Sequence, residues 1–417
     1  MKSTPIPATL FTRNRKKLFD LMDPGSVAIV GSNEQKLRSG DQFFTFRQHS
    51  DFYYLTGINQ PDSVLLCAPD YADPKLREIL FIRKSTPKSD LWSGPGLTPH
   101  EATLLSGIGE VKYLDELDEY RDILFPGASS LYEAGKVNDE KILGQYPDLS
   151  LSQFSPLMKH LRMVKEFEEV EEIRKAGAIT RSAFLRILGM VKPEVWEYEV
   201  EAEIIAEFLR KGAEGHAYEP IFASGKNALI LHYVENNSRC RTGDLLLMDF
   251  GAEVNNYAAD CSRTIPVNGR FSDRQRAVYD AVLRIFRKAR EMMVPGAVMS
   301  AFHNSVGELW VEEHVALGLY TMNEVREQPP EEPLWKRYFM HGTSHSLGLD
   351  VHDTFDRTRP FEPGMVLTCE PAIYIPEEGI GIRLENDILI TNEGPVDLLE
   401  DIPIEAAEIE EIMQSNR

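Results

Sequence analysis

The chain has 417 residues, 42% of them hydrophobic, which suffices for two or three domains with a core in each. A formal charge of −21 argues against a nucleic-acid or anionic-membrane surface, which needs Lys and Arg to neutralise phosphates, and suits cations as partners. Cys67, Cys240, Cys261 and Cys369 lack zinc-finger or short disulfide spacing, Met1 to Pro5 begins no apolar leader, and no apolar run has membrane-spanning length, so a cytoplasmic protein without disulfides is expected.

Three short apolar runs, Val27 to Gly31, Ser63 to Cys67 and Ile79 to Ile82, read as buried strands, with helical stretches near Arg13 to Met22 and His100 to Ser106. This alternation predicts a smaller α/β domain over residues 1–160. From Lys165 the acidic run Glu166-Phe167-Glu168-Glu169 marks a helix start, and a second domain is expected over 161–417. It opens with helices at about 166–191 and 197–211; in the latter Val200, Ile204 and Phe208 form one apolar stripe, which means core packing. A strand from Leu245 to Phe250 follows, then a return through Asp260, long helices at about 273–294 and 299–317, and strands from Val366 to Ile375 and Ile380 to Ile390. Helices flanking paired strands predict an α+β catalytic domain.

Asp249 ends an apolar strand, where an unpaired carboxylate costs roughly several kcal/mol, so a cation is expected beside it. A reversal at Glu253-Val254-Asn255-Asn256 sets Asp260 directly across from Asp249, with Cβ atoms about 4.5–5.5 Å apart. By the same arithmetic, a reversal at Pro376-Glu377-Glu378-Gly379 sets Glu370 opposite Glu385. A solvated face explains either pair alone; two such pairs in one chain weigh against it. Oxygen donors in this number suit a divalent ion such as manganese, and an added imidazole extends the choice to cobalt, zinc or iron. His341, His345 and His352 lie in a glycine-containing stretch that reads as a loop or irregular strand.

These residues resemble the creatinase or "pita-bread" metallopeptidases, the family of aminopeptidase P, prolidase and methionine aminopeptidase. The likeness rests on Leu247 to Gly251, Ala259 to Thr264, His341 to Asp353, Thr368 to Pro371 and Gly381 to Asp387. Upstream, Phe46 to Gly57 looks like the N-terminal domain of aminopeptidase P, so the resemblance covers most of the chain. It implies a C-terminal pita-bread catalytic domain and two divalent metals, Mn2+ first, with Co2+ or Zn2+ as alternatives. Asp249 would chelate one ion, Asp260 and Glu385 would bridge both, His345 and Glu370 would hold the other, and a hydroxide would lie between them. His232 and His352 resemble histidines that contact the scissile carbonyl and oxyanion, Glu370 a proton shuttle, and His341, Tyr374 and Arg383 the lining of a proline pocket. Cys261 and Cys369 adjoin ligand positions but point to the opposite strand faces, so packing is expected of them.

The implied substrate is a peptide with proline at its second position, cleaved by a homo-oligomer (dimer or tetramer) with no nucleic-acid or membrane partner. In one departure from the family, the loop Asp90 to Gly96 offers no arginine for substrate binding. The nearest alternative is a prolidase, which shares every metal ligand and cleaves only dipeptides. A non-catalytic peptide-binding module on the same fold is a further alternative, disfavoured by the complete ligand set, as is creatinase chemistry, which uses no metal.

Overall fold

The structure, a computed structural model, describes residues 4–135, 142 and 144–415. It divides into two compact units, Thr4–Arg162 and the chain from Met163 onward. In the first, six strands run in the spatial order Glu110–Tyr113, Glu78–Ile82, Val64–Cys67, Val27–Gly31, Ser130–Ala134, Ser150–Ser152, mixing parallel and antiparallel pairs. Val27–Gly31 is buried along its whole length, which explains its unbroken apolar run. Helix Ala8–Leu21 supplies the buried Arg15, whose guanidinium donates to Glu78 and to the carbonyls of Leu55 and Ser106. Helix Pro99–Ser106 starts where Thr98 and Glu101 bond reciprocally, with proline at its first position.

The second unit sets helices Phe167–Leu188, Glu197–Arg210, Asp273–Glu291 and Met299–Ala316 around strands that pair only antiparallel among the described residues. Val200, Ile204 and Phe208 are fully buried, as the stripe predicts. No described helix is long and apolar enough to cross a membrane, and the four cysteines are buried and free.

Two hairpins carry the acidic residues. In the first, strand Leu245–Asp249 pairs with Ser262–Pro266, and Ala252–Val254 with Tyr257–Ala258 in the same register. Asn255 and Asn256 make the turn, both left-handed at φ 49° and 64°, which two-residue hairpin turns of this hand require. The turn therefore lies one residue later than the reversal expected at 253–256. Asp249 pairs with Ser262 rather than Asp260, a register change of two that leaves both aspartates on one face as diagonal neighbours. Between the paired segments the backbones close up: a Cβ on Gly251 would lie 1.7 Å from the Ala259 carbonyl oxygen, so no side chain fits there.

The second hairpin keeps the expected register. Cys369 pairs with Asn386 and Ala372 with Arg383, which brackets Glu370 opposite Glu385. The two long strands expected are each interrupted at these residues, giving Val366–Cys369, Ala372–Ile375, Ile380–Arg383 and Asn386–Thr391. The cause is outside the hairpin: the Glu370 N–H donates to Thr343 and the Glu385 N–H to Ser262.

Candidate metal and substrate site

Both hairpins and the 341–353 segment open onto one cavity of about 740 Å3. Of the ten residues expected to form the site, Asp249, Asp260, His345, Glu370, Glu385, His232, His352, His341 and Arg383 line it, and Tyr374 stands behind. Asp260, His345 and Glu385 each offer one ligand atom, all within 4.8 Å of one another. The His345 Nε2 atom is 3.4 Å from Asp260, 3.7 Å from Glu370 and 3.9 Å from Glu385.

Four carboxylates face few positive groups. Arg383, buried on its strand, donates from Nη2 to Asp249 (2.6 Å), from Nη1 to the Tyr374 hydroxyl (2.8 Å) and from Nε to Ser262 Oγ (2.8 Å). Ser262 in turn donates to Glu385 at 2.7 Å. The Tyr218 hydroxyl lies 2.6 Å from Oδ1 of Asp249 and 2.5 Å from Oδ1 of Asp260, with one proton for two acceptors. Burial raises the proton affinity of Asp260, Glu370 and Glu385, and neighbouring carboxylates add to it, Asp249 for Asp260 and both aspartates for the two glutamates; the Glu370 carboxyl reaches about 7. Burial opposes charge on His345, but Asp260 and Glu370 outweigh it and raise the imidazole to about 9. A donor set of carboxylates and one imidazole, short of positive charge, fits divalent ions.

The neighbouring groups are fixed by hydrogen bonds. His341 is held neutral by burial and by Arg383, at about 3. Its Nδ1 bonds the Gly342 carbonyl, so Nε2 accepts from Tyr374, which accepts from Arg383. His352 is open to the cavity and packs edge-on against His345, ring centroids 4.4 Å apart. Cys261 and Cys369 are fully buried beside the site, with thiols pushed up by burial.

The sequence did not single out four participants. Tyr218 and Ser262 act through partners remote in the chain, and Arg357 lines the cavity from an irregular segment. Asp387, fully buried, accepts the Asp260 backbone N–H through Oδ2. It alone carried a signal, as an acidic residue two positions from Glu385 in an apolar strand. Behind the hairpins Arg263, also fully buried, donates to the Ser262 and Glu385 carbonyls, Asn386, and the Ile402 and Pro403 carbonyls.

A pocket of this kind on paired antiparallel hairpins fits a metal-dependent hydrolase. The pattern of Metallopeptidase family M24 matches residues 171–392, and that of the aminopeptidase P N-terminal domain matches residues 11–132. Xaa-Pro aminopeptidase of Escherichia coli K12 is 36% identical, with 98% of each chain covered. Two solved structures of E. coli aminopeptidase P superpose over 99% of this chain and all of theirs: a Zn-substituted form with product (TM-score 0.91, 35% identity) and one with the inhibitor Pro-Leu (0.90, 34%). The chain belongs to the Xaa-Pro aminopeptidases, or aminopeptidases P, of metallopeptidase family M24.

Proposed function

We propose that this metallopeptidase releases the first residue from peptides whose second residue is proline. One observation carries the reading: Asp249, Asp260, Glu370 and Glu385 converge with His345 on one cavity, with a single Tyr218 proton between two of the carboxylates. These five residues would hold two divalent ions, manganese first among the candidates and cobalt or zinc next, Asp260 and Glu385 serving both ions. Bound there, such ions would acidify a water and polarise the peptide carbonyl. Glu370 takes the proton of the attacking water and passes it to the proline nitrogen as the C–N bond breaks, leaving a free amino acid and a peptide that begins with proline. His232 and His352 donate to the carbonyl oxygen as it becomes an oxyanion.

Proline's amide nitrogen bears no hydrogen once acylated, so recognition falls on the ring's shape. His341 and Arg383, tied together through Tyr374 behind them by bonds of 3.0 and 2.8 Å, give that ring a fixed wall. The E. coli aminopeptidase P complex with Pro-Leu supports this reading, since that inhibitor itself begins with proline. Cytoplasmic residence and a homo-oligomer, dimer or tetramer, belong to the same proposal; cell fractionation and sedimentation velocity read them.

Chromatography of digests tests the substrate. Xaa-Pro-Yaa peptides should lose their first residue, and alanine in place of proline should largely abolish cleavage, because the pocket loses ring packing and must order a more flexible chain. Cleavage of Xaa-Pro with none of Xaa-Pro-Yaa would identify a prolidase instead. Metal analysis tests the centre: Asp260→Ala and Glu385→Ala should each lose activity and bound metal, and a full two equivalents in both variants would remove their bridging roles.

A further inference from the structure

The histidine segment is anchored from below by a charge that the proposed chemistry does not use. Lys165 lies just before helix Phe167–Leu188, with its side chain 1% exposed. Its ammonium is 3.3 Å from Asp353 Oδ2, 3.4 Å from Ser346 Oγ and 3.5 Å from the Met163 carbonyl. Asp353 directly follows His352, and Ser346 directly follows His345. One cation thus grips the neighbour of each histidine, and the two imidazoles sit 4.4 Å apart above it.

The mount itself is rigid. The Lys165 N–H donates to the Gly364 carbonyl, and Val164 bridges Met365 at the start of strand Val366–Cys369. Ser346 bridges Leu367 of that strand, and the Asp353 N–H donates back to Ser346. The turn between them closes tightly over the ion pair: a Cβ on Gly348 would lie 2.3 Å from Asp353 Oδ2 and 3.0 Å from Lys165 Cε. A buried ion pair seldom stabilises a fold more than apolar residues of the same size would, because desolvation offsets the attraction. What it adds is position: it draws the Asp353 carboxylate, the Ser346 hydroxyl and the Met163 carbonyl to one point.

We propose that Lys165 is a positioning residue, which holds Asp353 and Ser346 together and so fixes His352 against His345 for turnover. The inference rests on the proposed part of His352 in hydrolysis. It is tested on the metal-loaded enzyme with Lys165→Met, the double variant Lys165→Met/Asp353→Asn, and His352→Ala as reference. Lys165→Met should lower both thermal stability and kcat, since it takes the ammonium away from the buried Asp353 carboxylate. The double variant removes that buried charge and should regain most of the stability. Its kcat should nonetheless stay about 10–100-fold low, as for lost outer-shell partners, with KM and metal content unchanged. In its crystal structure the His345 and His352 rings should have left their 4.4 Å contact. Recovery of kcat together with stability, unmoved rings, or loss of metal in place of slowed turnover would each overturn the proposal. Normal turnover by His352→Ala, with the rings displaced in the double variant, would instead reject the role given to His352.

Discussion

The Tyr218 hydroxyl can satisfy only one of the two carboxylates it touches, Asp249 or Asp260. Burial, then the charges of both aspartates, holds its phenol proton in place, so it remains a donor throughout the working pH range. Tyr218→Phe should therefore weaken divalent-metal binding or turnover by about 10–100-fold while leaving the fold intact. Titration against a chelator of known affinity measures it; unchanged affinity and turnover would reduce Tyr218 to packing. At this scale the ligand candidates were legible because a carboxylate inside an apolar strand is conspicuous, whereas Tyr218 was not. Its partners lie 31 and 42 residues away, and nothing in Ala217-Tyr218-Glu219-Pro220 marks a tyrosine that will meet them. Ser262 escaped for a similar reason: its hydroxyl links Arg383 to Glu385, more than a hundred residues further on.

The hairpins show what local sequence can and cannot specify. Helices such as Phe167–Leu188 and Asp273–Glu291 end close to where apolar periodicity and capping place them. The first hairpin's register was displaced because the reversal was centred on Val254-Asn255, although the Asn255-Asn256 pair is the better left-handed turn. Asn256→Val should cost about 1–2 kcal/mol from the left-handed backbone alone. Urea unfolding measures this, and a variant as stable as the parent would show that the turn does not set the register. The strand interruptions at Glu370 and Glu385 were not legible at all. Their cause is hydrogen bonding to Thr343 and Ser262, segments that the hairpin's own sequence does not name.

At the scale of the molecule, the acid limit of stability has an identifiable contributor besides the carboxylates. His314 on helix Met299–Ala316 is fully buried, stacked on Trp310 and bonded through Nδ1 to Tyr320, while Nε2 has no hydrogen-bond partner among the described residues. Burial depresses it to about 3. Its folded pKa lies below the unfolded value near 6.5, so its contribution is complete above about pH 6.5 and is lost as pH falls toward 3, by up to about 1.4 kcal/mol per pH unit. His314→Phe should flatten the decline of the urea midpoint between pH 6.5 and 5; parallel curves for parent and variant would exclude it. A different consequence follows from Arg263, which bonds the backbone at Ser262 and Glu385 on one side and at Ile402 and Pro403 on the other. During synthesis, a chain released before residue 402 already contains every candidate ligand, but its buried guanidinium lacks two acceptors. A chain ending before residue 402 should therefore be less stable and less active than the full chain, which urea unfolding and a digest assay would read.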